Sequence, residues 1–380
     1  MSLATRPSRR LRSLVGGTAA TAALVTGLAA CGSSTSSDAG SSSSAPAASS
    51  SPLTGLAPDQ AVRTAFTNLG HASTVHTQLK LDTSPGAAAD MTKGSGAMTS
   101  SQAALLQNGT VDFTVTAPQG EDVDQAITQP LNRQGDHTPA IDFSLNNGGA
   151  GPVAAIRTVA GNLYATADLS QLSQVAGTNL TKDASQLGAH NPSLAPITSA
   201  LLAGKWLELS SGALGSLGKT LGSTSGPSGM GANLPGDFEA AFTKDVTWKA
   251  GTTSGTYDAS LDARSFIADL YPDMAEMSQL SGNPLPSKSA VLAQTPAGTT
   301  VSAVVATADD QVSSVTIDLL QFDHNPADLK ELGPNPKVDL VTSFDSTSSP
   351  VTAPTGAVTL DKQIPSLMMG LMGMAGANRV

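Results

Sequence analysis

Residues 110–116 read Thr-Val-Asp-Phe-Thr-Val-Thr, and their strict alternation decides the fold class. A period of two puts Val111, Phe113 and Val115 on one side of an extended chain and the polar residues on the other. One apolar and one polar side marks antiparallel sheet with a single packed face. The pattern recurs on both flanks. Upstream, 74–82 carries Val75, Leu79 and Leu81 on one face, and 94–99 reads as a returning strand. Downstream, 140–145 repeats the alternation through Ile141, Phe143 and Leu145. Residues 153–159 and 162–166 make a hairpin about Gly161-Asn162. Strands resume at 205–209, 246–249, 255–262, 299–307, 312–320 and 338–344.

Helical spacing interrupts these strands. At 59–71, Ala61, Val62, Ala65, Phe66 and Leu69 form one stripe, with Pro58 opening it and Gly70 closing it. Residues 169–176, 192–202 (stopped by Gly204) and 237–242 also read as helix. So does 264–280, with Phe266, Ile267, Leu270 and Met274 inward and Pro272 set to kink or divide it. The expected class is therefore α+β: a large antiparallel sheet packed on a few helices. Residues 212–236, rich in Gly, Ser and Pro, read as a long loop.

The N-terminus has a different character. Arg6, Arg9, Arg10 and Arg12 precede an apolar stretch from Leu14, which ends in Leu28-Ala29-Ala30-Cys31-Gly32. A basic region, a short apolar region and small residues form the layout of a secretory signal. The cysteine directly after Leu-Ala-Ala resembles a bacterial lipobox, which implies a diacylglyceryl group on Cys31 and cleavage before it. The seventeen residues 14–30 are near the lower limit for a membrane span, and Gly16, Gly17, Thr18, Thr21, Thr26 and Gly27 dilute them. Ser8-Arg9-Arg10 hints at twin-arginine export, although Arg12 stands where that signal prefers an apolar residue. Residues 32–52, GSSTSSDAGSSSSAPAASSSP, have no large apolar side chain to offset the entropy of ordering. They read as a tether with a reach of about 25 Å. The expected organisation is a signal peptide at 1–30, a lipidated Cys31 with its tether at 31–56, a sheet domain at 57–362 and a Met-rich tail at 363–380.

Loss of residues 1–30 would leave 16 Lys and Arg against 30 Asp and Glu, a net charge of −14. That balance, with no basic run, argues against nucleic-acid binding. Cys31 is the only cysteine, so a lipidated chain can form neither a disulfide nor a cysteine-based metal site. With only 3% aromatic residues, the core must come from Val, Leu, Ile, Ala and Met.

Together the lipobox, Ser-rich tether, first helix and long meander resemble the LolA-like lipoproteins, most closely the LppX/LprG type. Two phrases carry the resemblance, Val159-Ala160-Gly161-Asn162-Leu163-Tyr164 and Gly204-Lys205-Trp206-Leu207-Glu208-Leu209. The ending Val338–Phe344 followed by Pro350-Val351-Thr352-Ala353-Pro354 is similar to that family's last strand and exit. The likeness runs from about Asp59 to Pro354; the 212–236 loop and the 364–374 tail are extra. It implies a curved half-barrel sheet wrapped on helices, with a cavity between them for acyl chains. Leu79, Leu81, Val111, Phe113, Val115, Ile141, Phe143 and Leu145 would line that cavity, or be ordinary core if none exists.

Catalytic and metal patterns are weak. Ser216-Leu217-Gly218-Lys219 fits S-x-x-K, but no S-D-N or K-T-G follows it. His71, His76, His137, His190 and His324 show no i, i+4 pair and no H-E-x-x-H. His71 and His76 flank a helix-to-strand turn, where capping or surface roles are ordinary. Asp323-His324-Asn325-Pro326 and Asp309-Asp310 read as turns, and Glu121–Asp124 as a solvated charge run. No enzyme activity, cofactor or metal is expected. Met368, Met369, Met372 and Met374 make a soft apolar tail, too short to span a bilayer. The leading expectation is a lipid-anchored protein on the extracytoplasmic face of the cell membrane that carries an apolar, lipid-like ligand. The alternative is a surface interaction or scaffold lipoprotein without a cavity, acting through a membrane-protein partner.

Overall fold

The computed structural model describes residues 52–90, 92, 98–128, 138–148, 151–192, 194–213, 244–280, 286–293, 295, 297–322, 329 and 332–361. The signal region, Cys31, most of the tether and the Met-rich tail lie outside the described residues. So do most of the 212–236 loop, the 237–242 helix, Ser216–Lys219, His137 and His324.

In chain order the elements begin with α1 (Pro58–Gly70), β1 (Thr74–Thr83), α2 (Pro85–Asp90), α3 (Ser100–Asn108), β2 (Thr110–Thr116) and α4 (Val123–Thr128). Next come β3 (Ala140–Asn146), β4 (Pro152–Val159), β5 (Asn162–Ala167), α5 (Leu169–Ala176), α6 (Leu180–His190), α7 (Ala195–Leu202) and β6 (Leu207–Leu209). The chain ends with β7 (Val246–Ala250), β8 (Thr256–Asp262), α8 (Ala263–Leu280), α9 (Lys288–Ala293), β9 (Thr300–Ala308), β10 (Gln311–Asp318), a 3₁₀ turn (Leu319–Phe322), β11 (Val338–Asp345) and β12 (Val358–Thr359). The strands form one open twelve-stranded sheet in the order β12-β6-β5-β4-β3-β2-β1-β11-β10-β9-β8-β7. Pairing is antiparallel along β1 to β6 and along β7 to β11, and β12 lies parallel to β6. This is the α+β class that the alternation implies.

Contacts group the chain, expected as one domain over 57–362, into two compact units. The first contains residues 1–72, 82–95 and 225–345. Its strands β7 to β11 place Leu261, Val301, Val305, Val315, Ile317, Leu340 and Phe344 in a buried core. Pro58 opens α1 and Asp59 lies in its first turn, matching the positive end of the helix dipole. The stripe Ala61, Val62, Ala65, Phe66 and Leu69 is buried, and α1 packs on β10. Phe66 meets Phe344 edge-on, with centroids 6.0 Å apart and planes at 86°. The β9–β10 hairpin turns through Asp309 and Asp310, at φ 51° and 59°, as the twist of a two-residue hairpin demands. Asp310 also fixes the incoming chain. Its Oδ1 accepts from Leu53 N (3.1 Å) and its carbonyl accepts from Asn68 Nδ2 (2.8 Å). Leu53, assigned from sequence to the tether, is thus already part of the fold.

The second unit contains residues 73–81, 96–224 and 346–380. Its strands run β1-β2-β3-β4-β5-β6-β12. The β4–β5 hairpin turns at Ala160 and Gly161, both at positive φ. Four of its elements were not expected: α3, α4, α6 and β12. α3 starts in a reciprocal cap between Thr99 and Gln102, and buries only Ala103. α6 buries no residue. β12 is two residues long. Of the expected 94–99 strand only Met98 and Thr99 are described; they lead into α3, and β2 pairs with β1. Glu121–Asp124 is not merely a solvated run. Asp122 Oδ1 accepts from Gln125 N at 2.8 Å and caps α4.

Candidate functional site

Register turns the alternating strands of the second unit into two chemically distinct faces. On the apolar face, Phe113 stands opposite Phe143, Phe143 opposite Ile156, and Ile156 opposite Ala165. A neighbouring row joins Leu79, Val111, Leu145 and Ala154, and a third joins Val75, Val115, Ile141 and Thr158. Leu81 shares the face by alternation along β1. The residues expected to point inward therefore do share one surface, but they are not uniformly buried. Val115 is buried, while Leu79, Leu81, Val111, Ile141 and Leu145 are half-buried. Phe113, Phe143 and Ile156 are 37%, 47% and 51% exposed. Large apolar side chains contiguous across three strands and open to solvent are uncommon unless something binds there. At the β6 margin the same face is covered. Ala200 of α7, Leu207 and Leu360 form a small buried cluster, with Ile197, Leu201, Leu209 and Val358 packed on it.

The opposite face carries a polar row that crosses all seven strands: His76, Thr114, Asp142, Arg157, Tyr164, Glu208 and Thr359. Arg157 Nη2 donates to Asp142 Oδ2 at 2.7 Å, Tyr164 donates to Glu208 Oε1 at 3.1 Å, and Thr359 donates to Glu208 Oε2 at 3.2 Å. The Arg157 guanidinium also stacks 5.0 Å over Trp206 and donates to the Thr352 carbonyl at 2.8 Å. Val351 N donates to Thr116 Oγ1 at 2.9 Å, so residues 351 and 352 are tied onto this face.

Beside the row sits Asp112, only 8% exposed. It accepts from Gln78 Nε2 (2.9 Å), Thr110 Oγ1 (2.5 Å) and Asn146 Nδ2 (2.6 Å), and lies 3.3 Å from His76 Nε2. Burial alone would raise its pKa. The hydrogen bonds from His76, Thr110, Gln78 and Asn146 outweigh that and hold the carboxyl well below its ordinary value. The other ring nitrogen, His76 Nδ1, is 2.9 Å from Thr114 Oγ1. Hydroxyl, imidazole and carboxylate thus stand in the order of a nucleophilic triad. Among the described residues the surroundings do not complete one. Thr114 lies mid-strand, in register with both His76 and Asp142, so the nearby backbone N–H groups serve the sheet ladder and offer no oxyanion pair. Asp112 shares its charge among four donors from three strands, a geometry that ties β1, β2 and β3 together. Sequence reading gave His76 only a turn or surface role; alternation assigns it to the polar face, but its partners depend on register.

Elsewhere, His71 caps α1 through its backbone N–H to Leu69 and Thr67 carbonyls, and His190 Nδ1 lies 2.7 Å from the Gln186 carbonyl. Among the described residues, no group of three or more His, Cys, Asp or Glu could hold a metal. No helix among them is long and apolar enough to cross a membrane. No family model matches the chain, and no curated protein matches it.

Proposed function

We propose that this chain is a lipid-anchored extracytoplasmic protein that binds an apolar, lipid-like ligand, without enzymatic activity, on the open sheet face of its second unit. The observation that carries the reading is the exposed cross-strand row Phe113–Phe143–Ile156. Leu79, Val111 and Leu145 flank it, and an acyl chain is a ligand of matching chemistry. The signal-like N-terminus ending at Cys31 supports a place at the membrane, where such ligands are found. The LolA-like resemblance supports the same ligand class.

The test compares wild type with a full-length Cys31→Ser chain, so that covalent and bound lipid are told apart. Native mass spectrometry should find non-covalent lipid on the Cys31→Ser protein. Phe113→Ser/Phe143→Ser should lose most of it, with a far-UV spectrum like the parent's. Absence of bound lipid, together with no uptake of a fluorescent long-chain fatty acid, would overturn the reading. A membrane protein retained by the same face in its place would favour the scaffold role.

A further inference from the structure

We propose that the chain's own Met-rich segment, residues 364–374, lies on the Phe113–Phe143–Ile156 row and competes there with the apolar ligand; this rests on the reading of that face given above.

The exit point of the chain is the first support. β12 aligns Val358 with Leu207, on the apolar side, and Leu360 is buried against Ala200 and Leu207. Asp361 Oδ1 accepts from Ser210 N at 3.1 Å and holds the chain at this edge. The tail therefore starts beside the apolar face, at its covered margin.

Reach is the second. In strand order, β3 is four positions from β12, about 19 Å at a spacing of about 4.8 Å. Residues 362–367, if extended, span about 20 Å. Leu367 to Met374 can then lie over β3 and its neighbours β2 and β4.

Chemistry is the third. From Gln363 to Asn378 the chain has no charged side chain. Its apolar members Leu367, Met368, Met369, Leu371, Met372 and Met374 are matched to an uneven apolar surface. Thioethers adapt to irregular contacts and pack favourably on aromatic rings, which Phe113 and Phe143 present. The segment is too short to cross a bilayer and lacks the basic face that favours an anionic membrane surface.

Full-length protein carrying Cys31→Ser provides a cysteine-free background for the test. Phe143→Cys with Met369→Cys should form an intramolecular disulfide at least about tenfold faster than Lys80→Cys with Met369→Cys, because local concentration sets the rate. Lys80 is the control because it is exposed and alternates to the opposite face of β1. Leu367→Ser/Met372→Ser should slow the Phe143 pair. Deletion of 362–380 should tighten binding of a fluorescent long-chain fatty acid by about tenfold, as expected when a competing occupant is removed. If Phe143→Cys impairs folding, Ile156→Cys takes its place.

Equal rates at 143 and 80 would overturn the proposal, as would disulfides between molecules, which point to a second copy as occupant. Unchanged fatty-acid affinity after the deletion would overturn the competition. A fatty acid bound equally with and without the tail, and no selective cross-link, would leave the ligand reading standing alone. A selective cross-link with no fatty-acid binding by either chain would leave the tail seated and remove the ligand reading.

Discussion

Asp112 and Thr342 show opposite outcomes for a buried polar side chain. Asp112 is surrounded by donors from three strands, and its ionised form is favoured for that reason. Asp112→Ala should cost about 2 kcal/mol, because it leaves several partly buried donors without their shared acceptor. The sign of its pH dependence follows. Its folded pKa lies below the ordinary 3.8, so its contribution is complete above that value and is lost as pH falls beneath it. Urea midpoints at pH 7 and pH 3 should differ more for wild type than for Asp112→Ala. Asp245 and Asp339 act in the reverse direction, since burial raises their carboxyl pKa values. They cost stability while ionised, and protonation in mild acid relieves it. Thr342, fully buried in β11, has a hydroxyl with no hydrogen-bond partner. Thr342→Val should stabilise the fold by about 1 kcal/mol, read as a higher urea midpoint at unchanged slope.

At the level of elements, sequence periodicity worked where an element buries a stripe. α1 places all five residues of its expected stripe in the core. Phe66→Ala removes the ring that meets Phe344, and should cost about 3–4 kcal/mol in chemical denaturation. The strand alternations at 110–116 and 140–145 were legible because apolar and polar residues divide between the two faces, although β3 buries none of its residues. Burial does not separate the missed helices from the legible ones: α5 buries nothing and was read from its spacing, while α3 buries a single alanine and α6 nothing. The starts of α3 and α6 depend on caps, Thr99 with Gln102 for α3 and Asn179 for α6. Capping residues are hard to recognise in a chain so rich in Ser and Thr. Faces were legible, but exposure was not. The most apolar positions of β2 and β3, Phe113 and Phe143, are open, while Asp112, next to Phe113 but on the other face, is buried. Which side of a sheet is covered depends on where helices and connecting segments pack, and alternation is identical in either case.

For the molecule as a whole, the N-terminal reading leads to the plainest experiment. Cys31→Ser should release the protein from the membrane fraction into the detergent-poor phase, and should remove the mass of a diacylglyceryl group from the mature chain. Retention of wild-type partitioning by that variant would mean that another element anchors the chain. The amino-acid order by itself determined what is local or periodic: the signal-like pattern at the start, the small-residue composition of 32–52, the α+β class and the division of each strand into two faces. Tertiary structure alone decided the rest. Register joined His76, Thr114, Asp142 and Arg157 into one row, gathered four donors about Asp112, and left Phe113, Phe143 and Ile156 as a contiguous open patch. These are relations between residues far apart in the chain, set by which strand pairs with which and in what alignment, and a linear pattern of period two is the same for every alignment that keeps the faces.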